Sequence, residues 1–305
     1  MRSEWDDFIK ASKIPIFMFY RNFMEYHSDR FQDFSLLFYD EGEKLCAVLP
    51  ASISGDVVIS HGGLTFGGFV TDRKMKQERM CEMVSLLHNF LKKEGISRFV
   101  YKAVPHIYHL QPAEEDLYAL FLEGATLISV EPSTTIKLSD PIKMPKGRKA
   151  QISRANREGV QILEKESLDD FEKFIRLENE VLEKYHGVRA VHTGAELKLL
   201  KDRFPENIHL ITAELDGKLI AGTVLFEYPD VVHTQYMAAN ETARRIGALD
   251  LAIANVIDRY RVFKSWLDFG ISSENGGKIL NEGLISQKEG FGGRTAVYEK
   301  WMLEV

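Results

Sequence analysis

Lys288 lies in a glycine-rich stretch near the C-terminal end of the sequence, DFGISSENGGKILNEGLISQKEGFGGR, residues 268–294. Gly290, Gly292 and Gly293 follow it within five residues. Glycine has no Cβ, so such residues allow a close approach to the backbone or a tight turn with positive φ. A lysine held beside that backbone can stabilise an oxyanion in a transition state. Lys288 is therefore compatible with a catalytic role, and the alternative is a solvated lysine on a turn.

Two further polar residues of this stretch, Asp268 and Asn281, are candidates for orienting a substrate. Asp268 follows a short apolar run, so it has a second interpretation as the cap of a strand end at the next turn. The sequence leaves both interpretations open.

A basic segment precedes the middle of the chain, with six cations within residues 143–157. Lys146, Arg148 and Arg154 are the candidates for binding a substrate there. The planar guanidinium of arginine fits phosphate oxygens, which predicts a clamp for the diphosphate of a nucleotide-linked precursor or for tRNA phosphate. A run of like charge also suits a solvated helix face.

The segment EKYHGVRAVHTG, residues 183–194, joins two predicted helices and carries Tyr185, His186 and His192. If it covers a cleft, either histidine is suited to act as a general base on an incoming amine. An exposed loop histidine without a task is the alternative. Tyr236, in the middle of a predicted strand, is a candidate ligand contact or a core tyrosine with a satisfied hydroxyl.

Composition narrows the class of protein. At 305 residues, two domains are expected, and 45% hydrophobic with 28% charged residues is typical of a soluble globular protein. The net charge of −6 argues against attraction of the whole surface to nucleic acid, and no DNA partner is expected. We expect no transmembrane helix, no signal peptide, no metal site and a cytoplasmic location. Cys46 and Cys81 are expected as free cysteines in a reducing compartment.

Hydrophobic periodicity predicts the same order of elements in both halves of the chain, which indicates a repeat. The first copy is predicted as a meander, a helix, a strand, a helix and a strand pair, at 34–60, 75–94, 97–105, 113–124 and 125–140. The second follows two helices at 168–185 and 195–203, and its elements are predicted at 208–240, 242–262, 265–270, 277–291 and 294–303. A meander feeding a helix and a parallel strand forms a mixed α/β sheet.

This order resembles the GNAT acyltransferase fold, in which two central strands splay apart around the acyl donor. The family holds pyrophosphate at a helix N-terminus with a Q/R-x-x-G-x-G/A motif. RRIGAL, residues 244–249, is a partial match: Arg244, Arg245 and Gly247 become candidate cofactor-binding residues, but Leu249 stands where a small residue belongs. An ordinary, positively charged helix start is the alternative.

The tandem order, the stretch 268–294 and the segment KGRKAQISRANREGVQI at 146–162 together resemble the FemABX group of peptidyltransferases. Gln287 departs from the usual aromatic before the lysine. The resemblance implies transfer of an amino acid from aminoacyl-tRNA to an amine of a cell-wall peptide precursor, with a lysine that neutralises charge in the intermediate. The segment 168–207 is too short for the helical arm of some members, so any tRNA contact is expected at 143–157.

We therefore expect two GNAT-like domains, 1–145 and 146–305, with the last strand returning to the first domain as the resemblance implies. The expected function is acyl or aminoacyl transfer to an amine of a cell-envelope (peptidoglycan precursor) substrate. The donor is aminoacyl-tRNA or acyl-CoA, without a tightly bound cofactor, and the acceptor is a small molecule or a nucleotide-linked peptide. Alternatives are an acyl-CoA-dependent N-acetyltransferase and a tandem domain that only binds its ligand.

Overall fold

The computed structural model describes residues 2–305, apart from the side chain of His186. The chain divides into two compact units. Unit one comprises Met1–Pro132, Ser273–Leu280 and Ala296–Val305, and unit two comprises Ser133–Ser272 and Asn281–Thr295. The chain first passes from unit one to unit two at residue 133. A domain boundary at residue 146 stays a prediction.

Helices and strands are interspersed along the chain and are numbered from the N-terminus. The helices are α1 (Arg2–Ala11), α2 (Arg21–Met24), α3 (Gln77–Lys93), α4 (Glu115–Leu122), α5 (Lys146–Arg157), α6 (Leu168–His186), α7 (Gly194–Arg203), α8 (Glu241–Ile246), α9 (Ala248–Tyr260) and α10 (Glu282–Glu289). The strands are β1 (Gln32–Asp33), β2 (Leu36–Tyr39), β3 (Leu45–Leu49), β4 (Ser52–Ser54), β5 (Val57–Ile59), β6 (Val70–Thr71), β7 (Arg98–Lys102), β8 (Thr126–Lys137), β9 (Gln161–Lys165), β10 (Ile208–Leu215), β11 (Lys218–Glu227), β12 (Val231–Ala239), β13 (Trp266–Ile271), β14 (Ser273–Glu274), β15 (Ile279–Leu280) and β16 (Arg294–Glu304).

Unit one is built on strands in the order β1-β4-β5-β7-β16, with β5 and β7 parallel and the other pairs antiparallel. Strands β2, β3 and β6 form a separate sheet. The apolar stripe of α3, which includes Met80, Val84, Leu87 and Leu91, is buried in the core of this unit. These residues recur every three to four positions, so one face of the helix is apolar.

Unit two places strands in the order β13-β12-β11-β10-β9, and the end of β8 pairs antiparallel with β13. Only β12 and β13 are parallel. Helices α9 and α6 cover opposite faces of this sheet. Ala221 of β11 is in one core cluster with residues of α9, whereas a Cβ on the next residue, Gly222, would lie 3.2 Å from Phe174 of α6. Successive side chains of a strand point to opposite faces.

The predicted repeat is confirmed as a shared order of elements. A strand, a helix, a parallel strand, a helix and a final strand occur as β5-α3-β7-α4-β8 and again as β12-α9-β13-α10-β16. Both central parallel pairs are joined through a helix, as parallel connections require.

Four sequence predictions are wrong in detail. The helix at 277–291 is helical only over α10, Glu282–Glu289, and residues 279–280 form β15. The strand pair predicted at 125–140 is the single strand β8. The φ of proline is compatible with extended backbone, so the strand continues through Pro132 without a turn. The helix at 242–262 is interrupted at Gly247, whose φ of 80° is left-handed and ends α8. The meander at 34–60 is split between two sheets, since β3 pairs with β2 and β6 while β4 pairs with β5.

None of the helices described in residues 2–305 is long and apolar enough to span a bilayer. Both cysteines are free, and Cys46 is buried. Within the described residues, no three His, Cys, Asp or Glu side chains are grouped so that they could hold a metal ion.

Candidate active site

The centre of unit two is a fork between its two parallel strands. Strands β12 and β13 pair over three positions only, and the last pair joins His233 to Asp268. Strand β12 continues to Ala239 without β13 as its neighbour, and its pairing with β11 shifts register between Val224 and Leu225. Beyond His233 and Asp268 the two central strands are therefore not paired with each other. We call these unpaired lengths of β12 and β13 the fork.

A buried polar cluster closes the base of the fork. Asp268 is fully buried, and its carboxylate accepts a hydrogen bond from Ser133 Oγ and one of 3.2 Å from the Gly270 amide. Its second oxygen lies 3.0 Å from His233 Nδ1. Gly270 has a φ of 74°, and a Cβ there would lie 3.2 Å from the His233 ring. Asp268 lies inside β13 and not at its end, and its carboxylate holds both the Gly270 amide of the same strand and the His233 ring.

Lys288 lies on α10 and is only 3% exposed, so the alternative interpretation, a solvated lysine on a turn, is wrong. Its Nζ donates hydrogen bonds to the carbonyls of Gly270, at 2.9 Å, and Ile271, at 2.7 Å. Burial lowers the pKa of Lys288 to about 8, against the opposing influence of Asp268. An ammonium group has three donors, and the third has no partner among the described residues.

The glycines that follow Lys288 are packed against the protein itself. A Cβ on Gly290 would lie 2.6 Å from Arg148 Nη2, and one on Gly293 would lie 3.1 Å from a carbonyl oxygen of β8. Gly292 has a φ of 95°, and its Cβ would overlap the carbonyl oxygen of Ile142. These three glycines therefore permit close packing of the chain on itself, and a side chain at any of them would separate segments of unit two.

The charge of Arg148 is neutralised by a partner within unit two. Its guanidinium pairs with Asp250, donates 2.8 Å to the Gln287 carbonyl and lies 4.2 Å from the centre of the Phe291 ring. These contacts join α5 to α9 and α10. An arginine with a carboxylate, a carbonyl and an aromatic face as partners has little capacity left for a phosphate.

The remaining predicted cations of this segment are exposed. Helix α5 carries five cations and no carboxylate, and Lys146 and Arg154 both face solvent. This arrangement fits a solvated face and also leaves these charges accessible to an anion. The predicted phosphate contact stays a prediction for Lys146 and Arg154.

The start of α9, where the predicted pyrophosphate motif lies, is covered by α5. A Cβ on Gly247 would lie 2.7 Å from the Gln151 carbonyl oxygen, so the two helices are in direct contact there. Asp250, in the first turn of α9, adds a carboxylate to the helix end that would hold an anion. Gly247 thus ends α8 and allows α5 to pack against the start of α9. The contact with α5 and the carboxylate of Asp250 both disfavour the binding of pyrophosphate at this helix end.

The two arginines of that motif lie on the outer surface. Arg244 lies 4.4 Å from the centre of the Tyr185 ring and donates to the Ala239 carbonyl. Arg245 is exposed. Tyr185 is therefore stacked on a cation at the end of α6. The side chain of His186, the next predicted residue, lies outside what the structure describes.

Asn281 stabilises the N-terminal end of α10. Its Oδ1 accepts a hydrogen bond of 3.0 Å from the Leu284 amide and so caps α10. Its own amide donates to the Ser272 carbonyl at 3.0 Å. Both contacts position the helix that carries Lys288.

An open groove of about 500 Å³ runs along the solvent side of α6, bordered by the segment 187–193 and the start of α7. Three carboxylates of α6 line it: Glu172, Glu180 and Glu183. His192 lies at its edge and is 9% exposed. The groove thus combines carboxylates with a histidine. It is formed because the segment 187–193, which follows α6, folds back along that helix.

Tyr236 connects the groove to β12. Its hydroxyl accepts a hydrogen bond of 3.2 Å from the His192 amide and lies 2.7 Å from His192 Nδ1. Burial raises the pKa of Tyr236 to about 12. Because residue 236 follows the last paired position of β12, Tyr236 also belongs to the unpaired length of the fork. It is a buried tyrosine with a satisfied hydroxyl that touches both features.

Glu178 of α6 is a buried carboxylate that sequence reasoning missed. It is 6% exposed, its Oε2 is buried without a partner, and burial raises its pKa to about 7. Its charge acts on Tyr236. A signal existed, because Glu178 follows Phe171, Phe174 and Ile175 at seven, four and three positions, on the apolar face of the helix.

Comparisons with known proteins agree with this architecture. The model of one protein family, described as Acetyltransferase (GNAT) domain, matches residues 146–275. None of the curated protein sequences matches the chain.

Solved structures match over nearly the whole chain at low identity. The structure of FemX matches with a TM-score of 0.73 and 11% identity, covering 100% of this chain and 96% of FemX. The C-terminal domain of a protein named as a lysylphosphatidylglycerol synthetase from Agrobacterium fabrum has a TM-score of 0.63 and 12% identity, covering 99% of this chain and 90% of that one. A tandem GNAT protein from the clavulanic acid biosynthesis pathway has a TM-score of 0.54 and 11% identity, covering 99% and 94%. Residues 146–275 are therefore similar to the GNAT domain, and the chain as a whole has the tandem GNAT fold that these solved structures share.

Proposed function

We propose that the protein transfers an aminoacyl or acyl group to an amine, and that unit two carries the reaction. The observation that supports this most directly is the position of Tyr236. It lies on β12 beyond the last position paired with β13, and its hydroxyl contacts His192 at the groove. A donor in the fork and an acceptor in the groove would therefore meet at one residue.

In the proposed reaction the acceptor nitrogen forms a bond to the acyl carbon, and the carbonyl oxygen becomes an oxyanion. The bond between that carbon and the donor oxygen or sulfur then breaks, and the leaving atom takes the proton that the attacking amine loses. Lys288 is the candidate stabiliser of the oxyanion, because two of its three donors hold the carbonyls of Gly270 and Ile271 and one remains. Its ammonium is held in place before the charge develops.

We favour aminoacyl-tRNA over acyl-CoA as the donor. The helix end that would receive pyrophosphate is covered at Gly247 by α5 and carries the carboxylate of Asp250. The exposed cations of α5, such as Lys146 and Arg154, remain accessible to a phosphate backbone. The acceptor we propose is an amine of a cell-envelope precursor, which rests on the resemblance to FemX.

Mass spectrometry of the acceptor tests this function. The purified protein is incubated with UDP-linked muropeptide and a mixture of charged tRNAs, and in a parallel reaction with acetyl-CoA. We expect the muropeptide to gain the mass of one amino-acid residue in the tRNA reaction. A gain of an acetyl group instead would refute the choice of donor, and no gain in either reaction would refute the proposed function for this acceptor.

Tyr236→Phe provides a matched variant, because it removes one hydroxyl and keeps the ring. We expect slower transfer by the variant, since the hydroxyl holds His192 at the groove. A transfer rate equal to that of the parent would show that the contact between Tyr236 and His192 at the groove has no role in the reaction.

A further inference from the structure

Two lysines of unit one lie side by side on one face of its sheet. Lys102 is the last residue of β7, and Lys300 of β16 is its partner in the antiparallel register. Side chains at paired positions point to the same face, with Cβ atoms about 5 Å apart. Tyr101, the residue before Lys102, is in one core cluster with residues of α3, so the two lysines point to the face that α3 does not cover.

The negative charge beside these lysines is too small to neutralise both. Glu131 of β8, the strand on the other side of β16, pairs with Lys300 at 2.7 Å. Among the described residues, Lys102 has no carboxylate partner. Its Nζ donates hydrogen bonds to the carbonyls of His61, at 3.0 Å, and Leu64. Burial lowers the pKa of Lys102 to about 8, Lys300 lowers it as well, and Glu131 opposes both influences.

Support of the loop that follows β5 does not explain the second lysine. Lys102 joins the loop 60–67 to β7, since its amide donates 2.7 Å to Ser60 Oγ and its carbonyl accepts 2.9 Å from the Gly67 amide. Two of its three ammonium donors serve the same loop, and the third has no partner in the part of the chain that the structure describes. Like charges directly opposite each other destabilise a strand pair, so Lys300 costs stability in this position. Both features fit a ligand that brings negative charge and hydrogen-bond acceptors.

The position in the sheet is a second, independent observation that points to a ligand. Strands β5 and β7 are the parallel pair of unit one, and they end at Ile59 and Lys102. In open sheets with parallel strands, ligands bind beyond the carboxyl ends of those strands. Lys102 and Lys300 are both partly exposed, the side chain of Lys300 by 35%, so an ion in solvent can contact them.

We propose that Lys102 and Lys300 together bind a singly charged oxyanion, a carboxylate or a phosphate diester, at the carboxyl end of β7. Two ammonium groups and the carboxylate of Glu131 leave one positive charge, which one such group neutralises. One oxygen of the anion accepts the third hydrogen bond of Lys102, and the other accepts one from Lys300. Lysine binds such groups as a point charge, with donors that rotate towards either oxygen. The site lies in unit one and does not depend on the proposed function, which assigns the reaction to unit two.

Binding of small anions tests this without a donor or an acceptor. The probes are acetate for the carboxylate and dimethyl phosphate for the phosphate diester, and acetamide is the uncharged control. Amide signals of β7 and β16 are followed by NMR at pH 7 and constant ionic strength in the parent, Lys102→Met, Lys300→Met and Glu131→Gln. Lys93→Met is the matched control, because Lys93 is an exposed lysine of α3, on the other face of the sheet.

We expect at least one of the two anions to bind the parent and Lys93→Met with affinities within about threefold. Lys102→Met and Lys300→Met should each bind it at least about tenfold more weakly, as for loss of a charge-assisted contact. Glu131→Gln should bind it at least about threefold more tightly, because the competing carboxylate is removed. The anion that binds more tightly identifies the chemical source of the natural ligand's charge.

No binding of either anion to the parent, binding of acetamide as tight as that of the anions, or equal affinities in the parent and both lysine variants would each overturn the inference. So would weaker binding by Glu131→Gln, or a tenfold loss in Lys93→Met. If Lys102→Met fails to fold because the carbonyls of His61 and Leu64 lose their donor, Lys300→Met and Glu131→Gln still decide the question, since both leave those contacts in place.

Discussion

Replacing Glu178 by glutamine should change how stability depends on pH. Burial raises the pKa of Glu178 from 4.5 to about 7. Because the folded state holds this proton more tightly than the unfolded state, the stabilisation is fully present below pH 4.5 and is lost as the pH rises through about 7. Above that pH, the folded protein must bury the charge.

The magnitude follows from the size of this shift. Since one pKa unit corresponds to about 1.4 kcal/mol, the change between pH 4.5 and pH 8 is about 3 kcal/mol in the free energy of unfolding. Glutamine cannot ionise, so the variant lacks this loss. Its amide also lacks a partner at the Oε2 position, which costs about 1 kcal/mol at every pH. Glu178→Gln should therefore be slightly less stable than the parent at pH 4.5 and more stable at pH 8.

Urea unfolding at pH values from 4.5 to 8, followed by circular dichroism, measures this difference. The difference between variant and parent is used because the contributions of groups that the two proteins share cancel. Glu180→Gln is the control, and its difference from the parent should stay within about 0.5 kcal/mol throughout. Parallel stability curves for Glu178→Gln and the parent would show that the carboxylate is not desolvated, and the reasoning would then be refuted.

Four further outcomes are expected. Lys288→Met should lower the free energy of unfolding by about 2–4 kcal/mol, because two buried carbonyls lose a charged donor, and a change below about 0.5 kcal/mol would contradict its burial. Gly292→Ala should lower Tm by several degrees in calorimetry, since its φ of 95° and its close packing exclude a Cβ; an unchanged Tm would contradict this. Arg148→Ala should cost about 1.5–3 kcal/mol, and combination with Asp250→Ala should cost less than the sum of both, whereas additive effects would rule out the pair. Arg154→Ala should leave stability within about 0.5 kcal/mol and reduce the salt dependence of tRNA binding by about one phosphate contact, and an unchanged salt slope would assign α5 to a solvated face only.

The order of elements could be predicted from the sequence because it depends on neighbours along the chain. The apolar residues of α3 recur at helical spacing, and the turns at 40–43 and 215–218 separate alternating runs. The repetition of this order in two halves was therefore visible in the letters and is confirmed. The resemblance also directed attention to Asp268, which lies inside β13, and to Lys288 of α10, which donates hydrogen bonds to the last two carbonyls of that strand.

The burial of side chains and their hydrogen-bond and ion-pair partners could not be predicted from the sequence. Lys288 looks like a surface lysine in its own segment, but α10 turns it towards the end of β13, where it is 3% exposed. Gly292 looked suited to a ligand, and Ile142, 150 residues earlier, occupies that space. Arg148 looked available to a phosphate, and Asp250 already pairs with it.

The sequence by itself thus determined the order of the main helices and strands and the repetition of that order, since these depend on periodicity and on short-range backbone preference. The tertiary structure alone decided which charges are desolvated, which donors keep a free position and which glycines are filled by the chain. Those properties depend on what lies within a few ångströms in space, and for Lys288, Gly292 and Glu178 the deciding neighbours come from distant segments.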